Sequence, residues 1–380
     1  MRVAIFTTAH PLDDVRVYSK FAKSFREIGG RINWIGPRIT AFESNTFRDP
    51  HISYHLYRIP GGKAGRILSI PRAAISLARF RGADWLYCPD PDSASLAVIL
   101  RPLHGARVIF DVHEEYHTDL LSRWVGQRFS AMAAKALTFL LRRVVSGTTI
   151  LVGVNDTVLL PYRRAARTSL VVRNSAPDWF ASHETGARKE HPRVRFFHGK
   201  ATGTGGTLPV LEALTKVDEQ VEVLTFPSAG GVDGTPYLPD LQKQIDRLGV
   251  REQLVLSESV PHTGMPVLMD SCDVGMIGYG RELGRASLPN RLFEYMARGL
   301  PVLAPGYSPL IKAILEEHKA GITCDFEDPD SIAEAMSWFA THPEEARQMG
   351  RRARAAFDKH YSWAAEFAAL AGAMRSTEAH

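Results

Sequence analysis

The chain has 380 residues, of which 45% are hydrophobic and 23% charged, and its formal net charge is +5. This composition is that of a globular protein, and the length suggests two domains that each bury a core. The longest apolar runs fall short of the roughly 20 residues that a membrane-spanning helix needs, which excludes an integral membrane protein of helical type.

The charge and the cysteines limit the class of protein further. Residues 1–180 hold 25 Lys and Arg against 14 Asp and Glu, so the basic excess lies in the N-terminal half. That excess predicts an anionic partner, such as a membrane surface or a phosphate-bearing lipid, or else only solvated arginines. The three cysteines are widely spaced without metal-ligand pairing, which fits a reducing cytoplasm.

The N-terminal half begins with a βαβ pattern. Arg2–Phe6 predicts a strand, and residues 18–28 carry apolar side chains at helical spacing before a second strand at 31–35. In open α/β sheets the loop after the first strand lines the ligand crevice. That loop carries four polar candidates: His10, Asp13, Asp14 and Arg16.

Two later strands of this half bring further polar residues to the same edge. The strand at 84–88 runs into Asp90 and Asp92, and the strand at 107–110 runs into the sequence Asp-Val-His-Glu with His113 and Glu114. The two aspartates could form a general acid–base pair. We favour a loop-shaping or substrate-contacting role for them.

A long amphipathic helix is predicted over 127–143. Its apolar residues form one stripe at i, i+3, i+4 spacing, namely Phe129, Met132, Ala133, Ala136, Leu137, Leu140 and Leu141. Basic residues flank the stripe. The helix either packs on the core with a solvated basic face or lies at a membrane interface.

A glycine-rich loop follows the strand at 194–197. Gly199, Gly203 and Gly205 resemble a dinucleotide-binding turn, which should place an acid at the end of the next strand. The acid there, Glu222, stands at the beginning of that strand. We therefore rank a nicotinamide cofactor below a loop whose amides face a diphosphate.

The most informative segment is 287–304, Ser-Leu-Pro-Asn-Arg-Leu-Phe-Glu-Tyr-Met-Ala-Arg-Gly-Leu-Pro-Val-Leu-Ala. It predicts a loop, a helix from Pro289, a stop at Gly299 and a buried strand at 300–304. The N-terminus of such a helix can hold a diphosphate, and Glu294, one turn further on, could reach a ribose hydroxyl.

Four of these motifs together resemble the retaining glycosyltransferases of family 4, which have the GT-B fold of two Rossmann-like domains facing a cleft. They are His-Pro-x-Asp-Asp-x-Arg, Asp-Pro-Asp, Asp-Val-His-Glu and Leu-Pro-Asn-Arg-Leu-Phe-Glu-Tyr. The resemblance covers nearly the whole chain and is strongest at 107–116 and 285–304. It implies an acceptor domain at 1–177, a linker at 178–192, a donor domain at 193–355 and a helix at 356–380 that packs back on the first domain.

The resemblance also implies roles for individual residues. His113, Lys200 and Glu294 would carry catalysis, with His113 against the donor sugar. The donor would be held by Gly199, Val260, His262, Ser287, Leu288, Asn290, Arg291 and Glu294, with the backbone near Val260 at the nucleobase. The acceptor side would comprise His10, Asp13, Arg16, Asp90 and Glu114. No metal or separate cofactor is expected.

The chain departs from the family pattern at two positions. Gly205 stands where a second basic residue usually flanks the diphosphate, and Ala286 replaces the first glutamate of the Glu-x7-Glu pair. Arg281, Glu282 or Arg285 could compensate. The expected activity is transfer of a sugar from a UDP-sugar to a glycan, lipid-linked or natural-product hydroxyl. The alternatives are an epimerase and a silent nucleotide-sugar binder.

Overall fold

The computed structural model describes residues 1–39, 48–59, 65–113, 127–184, 192–201, 206–218, 220–227, 238–285 and 287–378, without the side chains of 66, 127–131, 227 and 238. It divides into two compact units. The first comprises Met1–Arg173 and Ala364–His380, and the second comprises Asn174–Trp363. Within the described residues, no helix combines the length and the apolarity needed to cross a membrane.

The first unit is built on a parallel sheet of seven strands in the order β3-β2-β1-β4-β5-β6-β7. The strands are β1 Arg2–Phe6, β2 Arg31–Pro37, β3 Ile52–Tyr57, β4 Trp85–Cys88, β5 Arg107–Val112, β6 Ile150–Gly153 and β7 Ser169–Val171. Val3 pairs with Ile32 on one side and with Trp85 on the other. The strand order therefore reverses between β1 and β4, where open α/β sheets bind ligands.

Helices cover both faces of this sheet. They are α1 (Val15–Ala22, π-helical, continued by Lys23–Glu27), α2 Gly65–Arg79, α3 Pro91–Ile99, α4 Arg101–His104, α5 Gln127–Gly147 and α6 Asp156–Leu159. A terminal helix, called α16 below (Trp363–Glu378), belongs to this unit for most of its length. Its Phe367 ring lies 5.3 Å from that of Phe25, and Glu366 pairs with Arg173 at 2.8 Å. The chain thus returns to the first unit, as expected.

The second unit has six parallel strands in the order β10-β9-β8-β11-β12-β13. They are β8 Val194–Ala201, β9 Val221–Pro227, β10 Leu254–Leu256, β11 Val274–Met276, β12 Val302–Pro305 and β13 Gly321–Cys324. The helices are α7 Asp178–Ser182, α8 Thr207–Leu214, α9 Leu238–Leu248, α10 Met265–Asp270, α11 Arg281–Gly284, α12 Asn290–Ala297, α13 Pro309–His318, α14 Pro329–Thr341 and α15 Pro343–Ala356. Here the order reverses between β8 and β11. The prediction of two doubly wound parallel sheets is confirmed.

The structure places the connections differently from the sequence prediction. Part of the predicted linker forms α7, whose Phe180 is buried in the core of the second unit, and 185–191 lies outside the described residues. Residues 356–363, predicted with the terminal helix, stay with the second unit. There the Tyr361 ring packs 5.3 Å from Phe293. Ser362 is extended and separates this turn from α16.

The long helix α5 also differs from its prediction. Leu141 and Val145 are buried, whereas Met132 and Leu140, predicted on the same apolar stripe, are 66% and 59% exposed. Successive turns at residues 137, 141 and 145 face the sheet, so 132 and 140 fall on the other side. The side chain of Phe129 lies outside the described set. The helix therefore carries apolar residues on both sides.

Candidate functional site

In the first unit, the loops after β1 and β4 are joined by buried hydrogen bonds. Asp90 accepts from the Thr7 hydroxyl at 2.6 Å and from the Thr8 amide at 2.8 Å. The Thr8 hydroxyl donates to Asp92 at 2.7 Å. Both aspartates therefore hold the two loops together at the switch point, which favours the loop-shaping role over an acid–base pair.

Arg16 lies beneath this edge and not at its surface. Its guanidinium is buried and donates to both carboxylate oxygens of Asp111, at 2.8 and 2.7 Å, and to the Val172 carbonyl at 3.2 Å. The Tyr87 hydroxyl donates to the same carboxylate at 2.5 Å. Burial alone would raise the pKa of Asp111, but Arg16 lowers it. This geometry gives Arg16 a structural role, in place of the predicted acceptor contact.

His10 and His113 meet above this buried pair, with ring centroids 5.1 Å apart. His10 Nδ1 lies 3.1 Å from Asp14 Oδ2, and His10 Nε2 lies 3.5 Å from Asp90 Oδ1. His113 Nδ1 lies 3.4 Å from the Asp111 carbonyl oxygen. Both rings are about one-sixth exposed, at 16% and 17%. Asp13 is half-buried in the same loop, and Glu114 lies outside the described residues.

The His10–Asp14 contact should make stability depend on pH. Burial lowers the pKa of His10, but hydrogen bonding to Asp14 and the charges of Asp90, Asp14 and Asp111 outweigh it, so the pKa is raised. The pKa of Asp14 is lowered despite burial, because His10 favours its charged form. The contribution of His10 is therefore complete below its unfolded pKa of about 6.5 and is lost as the pH rises through the folded pKa.

We therefore expect His10→Gln to cost about 1 kcal/mol of unfolding free energy near pH 5.5 and much less near pH 8.5. Urea denaturation of both proteins at the two pH values measures the difference. His104→Gln, at the end of α4, serves as the control, because the pKa of His104 is lowered by burial. An equal loss at both pH values would contradict the assignment.

In the second unit, Arg291 covers the end of β8. Its Nη1 donates to the His198 carbonyl at 2.8 Å. Gly199 has φ +73°, and a Cβ there would lie 2.6 Å from Arg291 Nη1, so only glycine fits beneath this guanidinium. Burial would lower the pKa of Arg291, but Tyr295, Tyr279 and Glu294 raise it. Arg291 therefore keeps its positive charge at the carboxyl end of β8.

Tyr295 anchors the helix α12 to the switch point of this sheet. Its hydroxyl donates to the carbonyls of Phe197 on β8 and Met276 on β11, at 3.0 and 3.1 Å. Gly299 has φ +66° and ends the helix as predicted, while Pro289 precedes the first helical residue, Asn290. Tyr295 thus holds the C-terminal half of the helix, and the helix N-terminus begins at Asn290.

Gly275 makes room for the Tyr295 ring, since a Cβ there would lie 2.3 Å from it. We expect Gly275→Ala to lower the unfolding free energy by about 1–3 kcal/mol, the usual cost of overpacking a core. Gly372→Ala in α16 is the matched control, because nothing lies within 4 Å of its Cβ position. That control should be neutral or stabilising. Equal urea midpoints for wild type and Gly275→Ala would disprove the anchoring role.

Glu294 is buried one turn inside α12 and is bound by a histidine. His262 Nε2 lies 2.8 Å from Glu294 Oε1. The His262 ring stacks on Phe180 at 5.3 Å and meets Trp179 edge-on at 5.5 Å. The two predicted donor residues, which are 32 positions apart in sequence, are therefore in direct contact. Half-buried Val260 lies two residues before His262, and its side chain lies 3.4 Å from the Cβ position of Gly264.

Sequence reasoning missed His198, which is buried at the end of β8. Burial and the nearby Arg291 lower its pKa to about 3, so its ring is neutral. Its Nε2 lies 3.2 Å from the hydroxyl of Thr207, the first residue of α8. Gly206 packs closely on Gly278, because a Cβ at position 206 would lie 2.7 Å from the Gly278 carbonyl oxygen. The only available signal was the position of His198 directly before Gly199.

The remaining predicted donor residues lie on β8 and at the start of α12. Lys200 is exposed at the end of β8, and Ser287, Leu288 and Asn290 are half-buried around the start of α12. Gly205 and Ala286 lie outside the described residues. Arg281, one of the three residues expected to compensate for Ala286, pairs with Asp325 and with Glu327, the latter at 2.8 Å. It therefore fixes α11 against the segment that follows β13.

A nicotinamide cofactor and a metal ion can each be compared with this geometry. Glu222, near the start of β9, pairs with Arg195 at 2.6 Å, far from the carboxyl end where a nicotinamide ribose would need an acid. Among the described residues, no group of three His, Cys, Asp or Glu side chains is arranged to hold a metal ion.

Comparisons with known proteins relate this chain to glycosyltransferases. A family model described as "Glycosyl transferase-like" matches residues 222–372. A GDP-mannose-dependent alpha-(1-6)-phosphatidylinositol monomannoside mannosyltransferase of Mycolicibacterium smegmatis is 29% identical over 143 residues, which are 37% of this chain and 37% of that protein. The match thus spans well under half of the relative.

Solved structures match over the full length. HepE of Anabaena in complex with UDP has a TM-score of 0.75 at 13% identity, covering 99% of this chain and 100% of that one. Sucrose-phosphate synthase of Thermosynechococcus elongatus has a TM-score of 0.73 at 12% identity, covering 100% and 99%. Identities this low establish the fold alone. The chain has the GT-B fold of glycosyltransferases.

Proposed function

We propose that the protein is a glycosyltransferase that moves a sugar from a nucleotide-sugar donor to an acceptor hydroxyl with retention of configuration. The observation that carries the proposal is the position of Glu294. It lies buried on α12, held by His262, one turn below a helix N-terminus and beside Arg291 at the switch point. This arrangement would suit a ribose and its diphosphate, because helix N-termini bind anions and ligands lie at switch points.

The leaving diphosphate would be stabilised by fixed positive groups. Amides at the start of α12, the Arg291 guanidinium and the Lys200 ammonium would bind the negative charge that develops as the bond from the sugar to the phosphate breaks. The departing phosphate oxygen would take the proton of the attacking hydroxyl on the same face, so that no protein base is needed. These cations would replace a divalent metal.

The donor is proposed to be a UDP-sugar. HepE was solved with UDP and with UDP-glucose, whereas the mannosyltransferase relative is named for GDP-mannose. UDP-glucose and GDP-mannose both donate a hexose, which supports a hexosyltransferase. GDP-mannose is therefore the second candidate, and the nucleobase would contact the backbone near Val260.

The acceptor is proposed to be a glycan, a lipid-linked sugar or a natural product. His10, Asp13 and Asp90 at the edge of the first sheet, together with Glu114, would surround its hydroxyl groups, and His113 would position the donor sugar. Polysaccharide assembly on the cytoplasmic side of a membrane is the setting we propose. A nucleotide-sugar epimerase and a silent nucleotide-sugar binder remain the alternatives, the latter because Gly205 and Ala286 depart from the family pattern.

The test is thermal unfolding with UDP-, GDP-, dTDP- and CMP-sugars, with and without EDTA, followed by product analysis. A ligand at a hundredfold its Kd should stabilise the fold by about 2.7 kcal/mol. We expect stabilisation by UDP-sugars that EDTA leaves unchanged. A new sugar isomer without acceptor would indicate an epimerase, and binding with neither transfer nor hydrolysis would indicate a silent binder. Stabilisation by NAD(H) alone would refute the proposal.

A further inference from the structure

One face of the first unit exposes an unusual set of large apolar side chains. The helices α2, α3, α4 and α5 form this layer, with α2 packed on α3 and α4, and α3 packed on α5. Their inner residues, such as Ala73, Leu77, Leu141 and Val145, join one buried core. Their outer surfaces, called the α2–α5 face below, expose eight large apolar residues: Ile67, Leu68, Ile75, Ile99, Leu103, Met132, Phe139 and Leu140.

Basic residues alternate with these apolar residues. On α2, the outward positions Leu68, Arg72, Ile75 and Arg79 follow one another at i, i+4, i+7 and i+11. On α5, the Arg143 guanidinium lies 5.4 Å from the centre of the exposed Phe139 ring. Neither α2 nor α5 contains an aspartate or a glutamate. The face is therefore apolar and purely basic along both helices.

These properties select the partner. A face that contacted only water would rarely expose eight large apolar side chains on neighbouring helices. A second copy of the same basic face would repel it. An anionic bilayer supplies both an apolar boundary and a negative surface potential, to which arginines beside inserted Leu, Ile and Phe side chains are suited. We propose that the α2–α5 face docks the protein on the surface of a membrane rich in anionic lipids.

Docking is independent of the donor site, since it uses other residues and needs no nucleotide. It would place the first unit against the bilayer, where an acceptor carried by a lipid would be concentrated. Failure of docking would leave sugar transfer to a freely diffusing acceptor intact, and failure of the transferase proposal would leave docking intact.

Sedimentation of the full chain with vesicles tests the proposal. We expect it to pellet with vesicles of phosphatidylcholine mixed with phosphatidylglycerol, to remain in solution with phosphatidylcholine alone, and to be released by salt. The double variant Leu68→Glu with Phe139→Glu should bind at least about tenfold more weakly. Arg72→Glu with Arg79→Glu should lose at least about tenfold as well.

Val267→Glu is the matched control, because Val267 is 59% exposed, as Leu68 is, but lies on α10 of the second unit. Unchanged thermal unfolding of each variant shows that the fold is intact. The proposal is overturned if wild type does not pellet, if it binds neutral vesicles equally well, or if Val267→Glu loses as much as the α2–α5 variants. Self-association that Leu68→Glu abolishes, without vesicle binding, would also overturn it.

Discussion

Glu294→Ala should weaken binding of the donor nucleotide by about 2 kcal/mol, or about thirtyfold in Kd. The reason is that the substitution removes the buried carboxylate that, in the proposed function, would accept hydrogen bonds from the ribose hydroxyls. Titration calorimetry with UDP measures the effect. A nucleotide without the 2′-hydroxyl serves as an internal control, because it has already lost part of the same interaction and should lose less.

The histidine beside Glu294 extends this prediction. His262 holds Oε1 of the carboxylate and is itself fixed between Phe180 and Trp179, so its loss should let the carboxylate move. His262→Ala should therefore weaken UDP binding, and should have little further effect in the Glu294→Ala background. His318→Ala, at a histidine that contacts Tyr361 elsewhere in the second unit, is the control. Additive effects would show that the two residues act separately.

His113→Ala should lower kcat about a hundredfold while changing the donor Kd by less than about threefold. His113 lies beside His10 at the edge of the first sheet and is a part of neither the Arg291 nor the Glu294 cluster. Removing its ring would leave the reacting sugar less well positioned but would not remove a contact to the nucleotide. Initial rates at saturating donor, together with calorimetry, separate the two effects.

His104→Ala is the control for this substitution, since the His104 ring contacts the Ala97 carbonyl on α3 and the Ala106 amide, away from His113. Turnover of His113→Ala within a few-fold of wild type would remove His113 from the mechanism. A parallel loss of donor affinity would instead move it into the nucleotide site.

Local patterns in the sequence predicted the architecture and the main site helix. Strand and helix periodicity gave two parallel α/β domains because the 2.0 and 3.6 residue repeats depend only on neighbouring side chains. The stop at Gly299 followed from the positive φ that glycine adopts readily. The sequence also showed that Glu222 stands at the beginning of its strand, whereas a nicotinamide site needs an acid at the end.

Contacts between distant segments could not be predicted from such patterns. Arg16 and Asp111 lie 95 positions apart, and His262 and Glu294 lie 32 apart. A charged residue in an isolated segment looks the same whether it is solvated or paired. Only folding places a partner beside it, which made Arg16 a buried structural residue.

Contacts between distant segments also decided which side of a helix faces the core. The spacing of apolar residues in α5 determined that the helix is amphipathic and basic, but its register on the sheet left Met132 and Leu140 outside, because Leu141 and Val145 fill the available core. The sequence by itself thus determined the fold class, the two sheets and the candidate motifs. Tertiary packing alone decided which charges pair, which histidine holds Glu294 and which apolar residues remain at the surface, since each depends on neighbours supplied by other elements.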